Sequence, residues 1–194
     1  MNNDGFLQYL NANKFYVKDG AYTHLLMNGG KLRIPLDKRD SFHKAYAHYM
    51  QISKLYVIEM KTKIFSFILD LDFFHQEIGL PQHMLFKYIS TIQKALYSKL
   101  SHTHDSKEVR TIVCLTPDKQ ITKNNESLVK TGVHLYWPDI HVDTEYALIL
   151  RYIIIDALED QYGERNSNNP WADVVDKSVL EKNGLRMVGS RKVS

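Results

Sequence analysis

The sequence is short of the features that would settle its class at once. It has a single cysteine, Cys114, in 194 residues, which excludes a disulfide within the chain and any multi-cysteine zinc ribbon or iron–sulfur site. No run of about 18 uncharged apolar residues occurs, and Met1 is not followed by a basic then apolar leader, so the chain reads as soluble and intracellular. Five prolines and nine glycines are too few and too scattered to make a linker, and there is no internal repeat or low-complexity tract. Charge of one sign is not in excess either. The formal net charge is +3, a mild bias that permits a polyanionic partner without requiring one.

What is present is ordinary globular material, 44% apolar and 24% charged, enough for one large domain over residues 1–194. Residues 4–18 read as a short helix or strand ending at the Asp19–Gly20 turn. Residues 28–36 read as a turn and a short strand stopped by Pro35. Residues 40–51, with Asp40 or Ser41 as N-cap and Phe42, Ala45, Tyr46 and Tyr49 at helical spacing, predict a helix. Residues 54–74 are rich in β-branched and aromatic side chains and predict one strand, or two joined near Lys61–Lys63. A helix is expected over 81–100, strands over 109–117 and 130–142, and an apolar helix over 143–163 ending at Gly163. Residues 166–192 predict a loop, a short extended segment, a turn at Asn183–Gly184 and a last strand. The order of elements lacks a strict βαβ rhythm, so a central mixed or antiparallel sheet flanked by helices is expected.

Within "FSFILDLDFF" (65–74), Asp70 and Asp72 sit two apart. In a strand they project from one face while Leu69, Leu71 and Phe73 enter the core from the other. Two adjacent carboxylates repel unless a cation lies between them or one is protonated, and hard divalent ions such as Mg2+ want oxygen ligands with open positions. A solvent-facing strand edge is the competing reading.

Three other segments carry candidate chemistry. In "KTGVH" (130–134), Lys130 supplies charge, Gly132 admits a ligand to the backbone, and His134 offers a donor to a phosphate; a hydrogen-bonded sheet histidine is the alternative. Tyr136–Trp137–Pro138 could stack a base or pack in the core. In "DVVDKSVL" (173–180), Asp173 and Asp176 cannot share a strand face; Asp176, after Val174–Val175, has the better setting. "GLRMVGSRK" (184–192) reads as a strand and a small-residue loop with Arg191–Lys192, suited to a triphosphate or simply a solvated basic tail. His102 and His104 form a lone HxH in a polar loop, where a zinc site is the less favoured reading.

Taken in order, "LDLD", "KTGVH" and "VVDKSVLEKNGLRMVGSRK" resemble the archaeo-eukaryotic primase superfamily: an apolar strand with DxD, a strand with SxH, and an apolar residue followed by Asp. The basic stretch near the end and the early "THLLMNGGKLRIP…SFHKAY" look like the N-terminal primase–polymerase domain of primase–helicases in nucleocytoplasmic large DNA viruses. The resemblance implies an α+β catalytic core, with an RRM-like palm flanked by helices and a small N-terminal α/β unit. It places Asp70, Asp72 and Asp176 on catalytic Mg2+ or Mn2+. Lys130, His134, Arg186 and Lys192 fall on nucleotide or template contacts. Gly132 stands where the family has its motif serine, so a backbone N–H or the Thr131 hydroxyl is expected to replace it.

The activity implied is template-directed nucleotidyl transfer: primer synthesis, with or without DNA polymerase activity, on single-stranded DNA from NTP or dNTP, by a two-metal mechanism in viral DNA replication. It further implies a longer natural protein that continues into an ATP-driven helicase and works at cytoplasmic viral replication sites or in the nucleus. Two other readings stand beside it. A DxD metal-dependent glycosyltransferase explains Asp70 and Asp72 but leaves "KTGVH" and "VVDKSV…GSRK" without work. A noncatalytic nucleic-acid-binding module predicts binding indifferent to divalent metal.

Overall fold

The computed structural model of the chain describes residues 4–100, 110–181 and 184–193. The loop with His102 and His104, and Asn183 of the expected turn, lie outside the described residues. The chain forms two compact units: residues 1–62 together with 183–194, and residues 63–182.

The first unit is built from α1 (Asp4–Ala12), α2 (Arg39–Ile52) and strands β1 (Tyr16–Val17), β2 (His24–Leu26), β3 (Lys31–Leu32), β4 (Val57–Glu59) and β10 (Leu185–Arg186), in sheet order β1-β3-β2-β4-β10. Every ladder in it is antiparallel. The β2–β3 turn needs Gly29 and Gly30, whose φ values of 116° and 120° are closed to most side chains. Phe6, Leu10, Phe15, Leu26, Leu32, Phe42, Tyr46 and Val57 make its core. The last segment is stitched back by hydrogen bonds: Arg191 N–H donates to Leu55 O and Val57 N–H to Ser190 Oγ. The helix expected from Asp40 or Ser41 starts earlier, at Arg39. A 3-10 turn over Leu36–Lys38 leads into it from Pro35, and no side chain caps it, because the turn's own backbone bonds satisfy the first N–H groups. His24 is buried in this unit, and desolvation with the nearby charges of His43 and Arg39 holds its pKa down to about 4.

The second unit carries a sheet in the order β6-β8-β5-β9, again wholly antiparallel, with β7 paired to β8. Its strands are β5 (Phe65–His75), β6 (Ile112–Leu115), β7 (Lys119–Lys123), β8 (Glu126–Val142) and β9 (Val175–Asp176). Its helices are α3 (Gln82–Leu100), α4 (Thr144–Tyr162), α5 (Trp171–Val174) and α6 (Ser178–Glu181). The long apolar stretch from residue 54 is thus two strands, β4 and β5, in different units. The β7–β8 hairpin closes on Asn124 and Asn125 at φ 52° and 63°, the positive-φ pair of a two-residue primed turn that asparagine tolerates.

One face of this sheet is the core. Phe67, Leu69, Leu71 and Phe73 of β5 and Val133, Leu135 and Trp137 of β8 are at most 1% exposed. The α3 helix packs on that face, with Tyr88 stacked on Phe73 and Gln93 accepting the Trp137 indole N–H at 2.9 Å. Trp137 is therefore a core residue and not a base-stacking one. Burying each such side chain contributes about 1.5–3 kcal/mol. Two carboxylates two residues apart on a strand, roughly 7 Å, repel by only about 0.6 kcal/mol in water. The core face therefore sets the register, and a one-residue slip would drive both aspartates inward.

Candidate active site

The register decides which side chains meet on the other face. Opposite Asp70 lie His134 on β8 and Asp176 on β9, and opposite His134 lies Cys114 on β6. Cys114, His134, Asp70 and Asp176 thus form one row across four strands. In the next row Asp72 faces Gly132. Of the seven site residues expected from the sequence, five belong to this face: Asp70, Asp72, Asp176, Lys130 and His134. Arg186 and Lys192 belong to the first unit, Arg186 on β10 opposite Ile58 and Lys192 in the exposed segment after it.

Each acid has a neighbour that orients it. His134 Nε2 lies 3.5 Å from Asp70 Oδ1, with both side chains largely shielded from water. The Tyr136 hydroxyl sits 3.5 Å from His134 Nδ1. Lys130 Nζ pairs with Asp72 Oδ2 at 2.5 Å. Both Asp176 oxygens accept from Ser178, one from its N–H at 2.8 Å and one from its hydroxyl at 2.6 Å. Asp173 is an exposed first-turn residue of α5 and takes no part. The Cys114 thiol is pushed up by burial, so it stays protonated at neutral pH.

Gly132 sits where space is short. A Cβ there would come 2.8 Å from Thr116 Oγ1 and 3.7 Å from Asp72 Oδ1. The Thr116 hydroxyl, which donates to Gly132 O at 3.1 Å, therefore fills the place a side chain at 132 would take. Thr131, the expected substitute for the motif serine, is instead buried at the alternate position opposite Phe73. Its hydroxyl donates to Asp118 at 2.7 Å and accepts from Leu80 N–H at 3.0 Å. Strand alternation sends it to the other face, so that expectation is corrected.

Two further residues hold the row in place and carried no motif. Arg151 of α4 is 5% exposed and donates to Val175 O at 2.7 Å and Ala172 O at 2.5 Å, fixing the strand that presents Asp176. Burial pulls its pKa down, and the charge of Asp176 is among those that oppose this. Asn169, 2% exposed, accepts from Phe74 N–H at 3.0 Å and donates to Asp72 O at 3.1 Å, continuing the β5 edge beyond the two residues of β9. Its carbonyl and side chain are in turn held by Arg165, whose guanidinium lies over the Phe73 and Trp171 rings. A buried side chain 97 residues in sequence from the aspartate it braces, as Asn169 is, leaves no local pattern.

The donor chemistry of the face suits a hard divalent cation: three partly exposed carboxylates. Their oxygens are at present engaged by internal partners, and the three acids do not bring their ligand atoms within 4.8 Å of one another. Asp72 is drawn to Lys130, and Asp176 to Ser178. Among the described residues, no helix is long and apolar enough to cross a membrane.

Comparison with known families gives a match over residues 23–194 to the C962R protein N-terminal AEP domain. No curated protein matches the chain.

Proposed function

The chain belongs to the family of C962R protein N-terminal AEP (archaeo-eukaryotic primase) domains, a family of divalent-metal-dependent nucleotidyltransferases, and on that premise we propose that it synthesises primers on single-stranded DNA in viral DNA replication. The observation that carries this reading is the ladder register with Asp70 between His134 and Asp176. Three acids and an imidazole from three separate segments share one face, an arrangement a plain binding sheet has no need of.

In this reading Asp70, Asp72 and Asp176 hold Mg2+ or Mn2+. When bound, the metal supplies positive charge to the triphosphate and lowers the pKa of the attacking 3′-hydroxyl. The remaining work belongs to the chain. Ser178 and Arg151 fix Asp176 and its strand. Lys130 gives up Asp72 and turns its ammonium to the phosphates, where His134 donates a second hydrogen bond. The Thr116 hydroxyl does the work of the family's motif serine beside Gly132. Arg186 and Lys192 contact nucleotide or template, supported by the resemblance of their segment, and a helicase region follows in the natural protein. Template contacts are mostly to backbone, so binding is salt-sensitive and weakly dependent on sequence.

The test is to incubate the domain with single-stranded template, labelled NTP or dNTP, and Mg2+ or Mn2+. Template-dependent products longer than a dinucleotide are expected. Their absence with every nucleotide and both metals contradicts the reading.

A further inference from the structure

A second group of ligand-type side chains lies wholly within the first unit, two of them in the early "THLLMN" and "SFHKAY" segments, to which no chemistry has been assigned above. His24 on β2 stands directly opposite Glu59 on β4, and His43 projects from α2, next to Phe42, whose ring is 4.7 Å from that of His24. One ligand atom from each of His24, His43 and Glu59 lies within 4.8 Å of the other two. His24 is 2% exposed, whereas His43 and Glu59 are exposed.

The hydrogen bonds around His24 engage one of its two nitrogens. Thr23 Oγ1 donates to Leu32 O at 3.3 Å and accepts from Ile34 N–H at 2.9 Å. Thr23 Oγ1 also lies 2.9 Å from His24 Nδ1, and metal binding at Nε2 requires the tautomer in which that imidazole nitrogen donates to the hydroxyl. Nε2 is buried without a hydrogen-bond partner. Buried polar atoms are nearly always satisfied, and an orphan calls for an explanation. An imidazole whose far N–H is anchored to a hydroxyl while its other nitrogen carries a free lone pair is the arrangement of a metal-ligating histidine.

We propose that His24, His43 and Glu59 form a site for a transition-metal dication of the Zn2+ type, separate from the carboxylate face of the second unit. Two imidazoles and one carboxylate, with water in the fourth position, are a zinc donor set, and imidazole selects against Mg2+. Tetrahedral bonds of about 2.1 Å put ligand atoms roughly 3.4 Å apart, so closure from within 4.8 Å needs about an ångström from the exposed His43 and Glu59 side chains. Arg39, one turn ahead of His43 on α2, opposes a cation here, and the Glu59 carboxylate is the charge that offsets it. The bound ion ties α2 to β2 and β4 and so staples a unit whose strands are only two or three residues long.

The experiment uses the whole chain, stripped with chelator and titrated with Co2+ and Zn2+, with visible absorption, calorimetric stoichiometry and thermal unfolding as readouts. One equivalent is expected to bind at micromolar or lower concentration, with the intense visible bands of four-coordinate Co2+ and a rise in Tm with free Zn2+. Millimolar Mg2+ should leave those bands in place. His43→Ala and Glu59→Gln, at exposed positions that do not endanger the fold, should each weaken binding at least about tenfold. Asp70→Asn should leave it intact. Octahedral Co2+ only, no Tm response to Zn2+, unaltered affinity in both ligand variants, or loss of binding in Asp70→Asn would each overturn the proposal.

Discussion

Asp176 lies directly across the β5–β9 ladder from Asp70, with His134 on the other flank of the same residue. The β9 strand contributes two residues only, so the placing of its carboxylate depends on groups outside the strand.

Arg151 positions Asp176 through backbone carbonyls and touches no reacting atom. Arg151→Ala leaves two shielded carbonyls unpaired, at about 1–3 kcal/mol each, and should lower both Tm and kcat. Nucleotide KM should hardly move, and Arg151→Lys, which keeps one donor, should recover part of kcat. A rise in KM with unchanged kcat would mean that Arg151 acts on the substrate side.

Gly132 and Thr116 compete for the same space. Gly132→Ser should cost on the order of 1–3 kcal/mol by overpacking and reduce activity. Adding Thr116→Ala should restore stability, and the double variant, with a hydroxyl again on the family's motif position, should be more active than Thr116→Ala alone. A double variant as unstable as Gly132→Ser contradicts the steric account, and urea denaturation of the three proteins checks it.

The fold was legible where one physical signal dominated. The apolar alternation of β5 and the stripe of α3 predict those elements because burial alone decides them. Strand period puts Asp70 and Asp72 on one face, but that Lys130 and His134 join them depends on the β5–β8 pairing, which the sequence implied only through the resemblance. The β7–β8 hairpin was missed because its Asn124–Asn125 turn lies in a polar stretch with weak strand propensity. Thr116, Arg151 and Asn169 were not legible either. Each acts through a contact made by the tertiary fold, and neither Arg151's bonds to two carbonyls nor Asn169's mimicry of a strand has a spacing to detect.

Lys130 shields Asp72 in the free protein. Both side chains are partly exposed, at 32% and 21%, so the pair is worth at most about 1 kcal/mol and Lys130→Met should barely alter Tm. It should raise the nucleotide KM about tenfold, as one charge-assisted phosphate contact of about 1.4 kcal/mol is lost. Because Asp72 is then free, half-maximal activity should need less divalent metal. A higher metal requirement would show that Lys130 assists metal binding instead.

Arg186→Ala and Lys192→Ala separate nucleotide from template contact. If these cations meet the triphosphate, each variant raises nucleotide KM while template affinity and its salt slope stay unchanged. Filter binding that weakens with a slope reduced by about one charge, at constant KM, would assign the residue to template.

The central claim is tested most directly by measuring labelled-nucleotide incorporation on single-stranded template with Mn2+ for the wild-type chain, Asp70→Asn and Asp176→Asn, alongside circular dichroism of each. The account predicts that both substitutions abolish incorporation, by at least about a thousandfold, while spectrum and Tm stay close to wild type. Near-normal incorporation by either variant would contradict it.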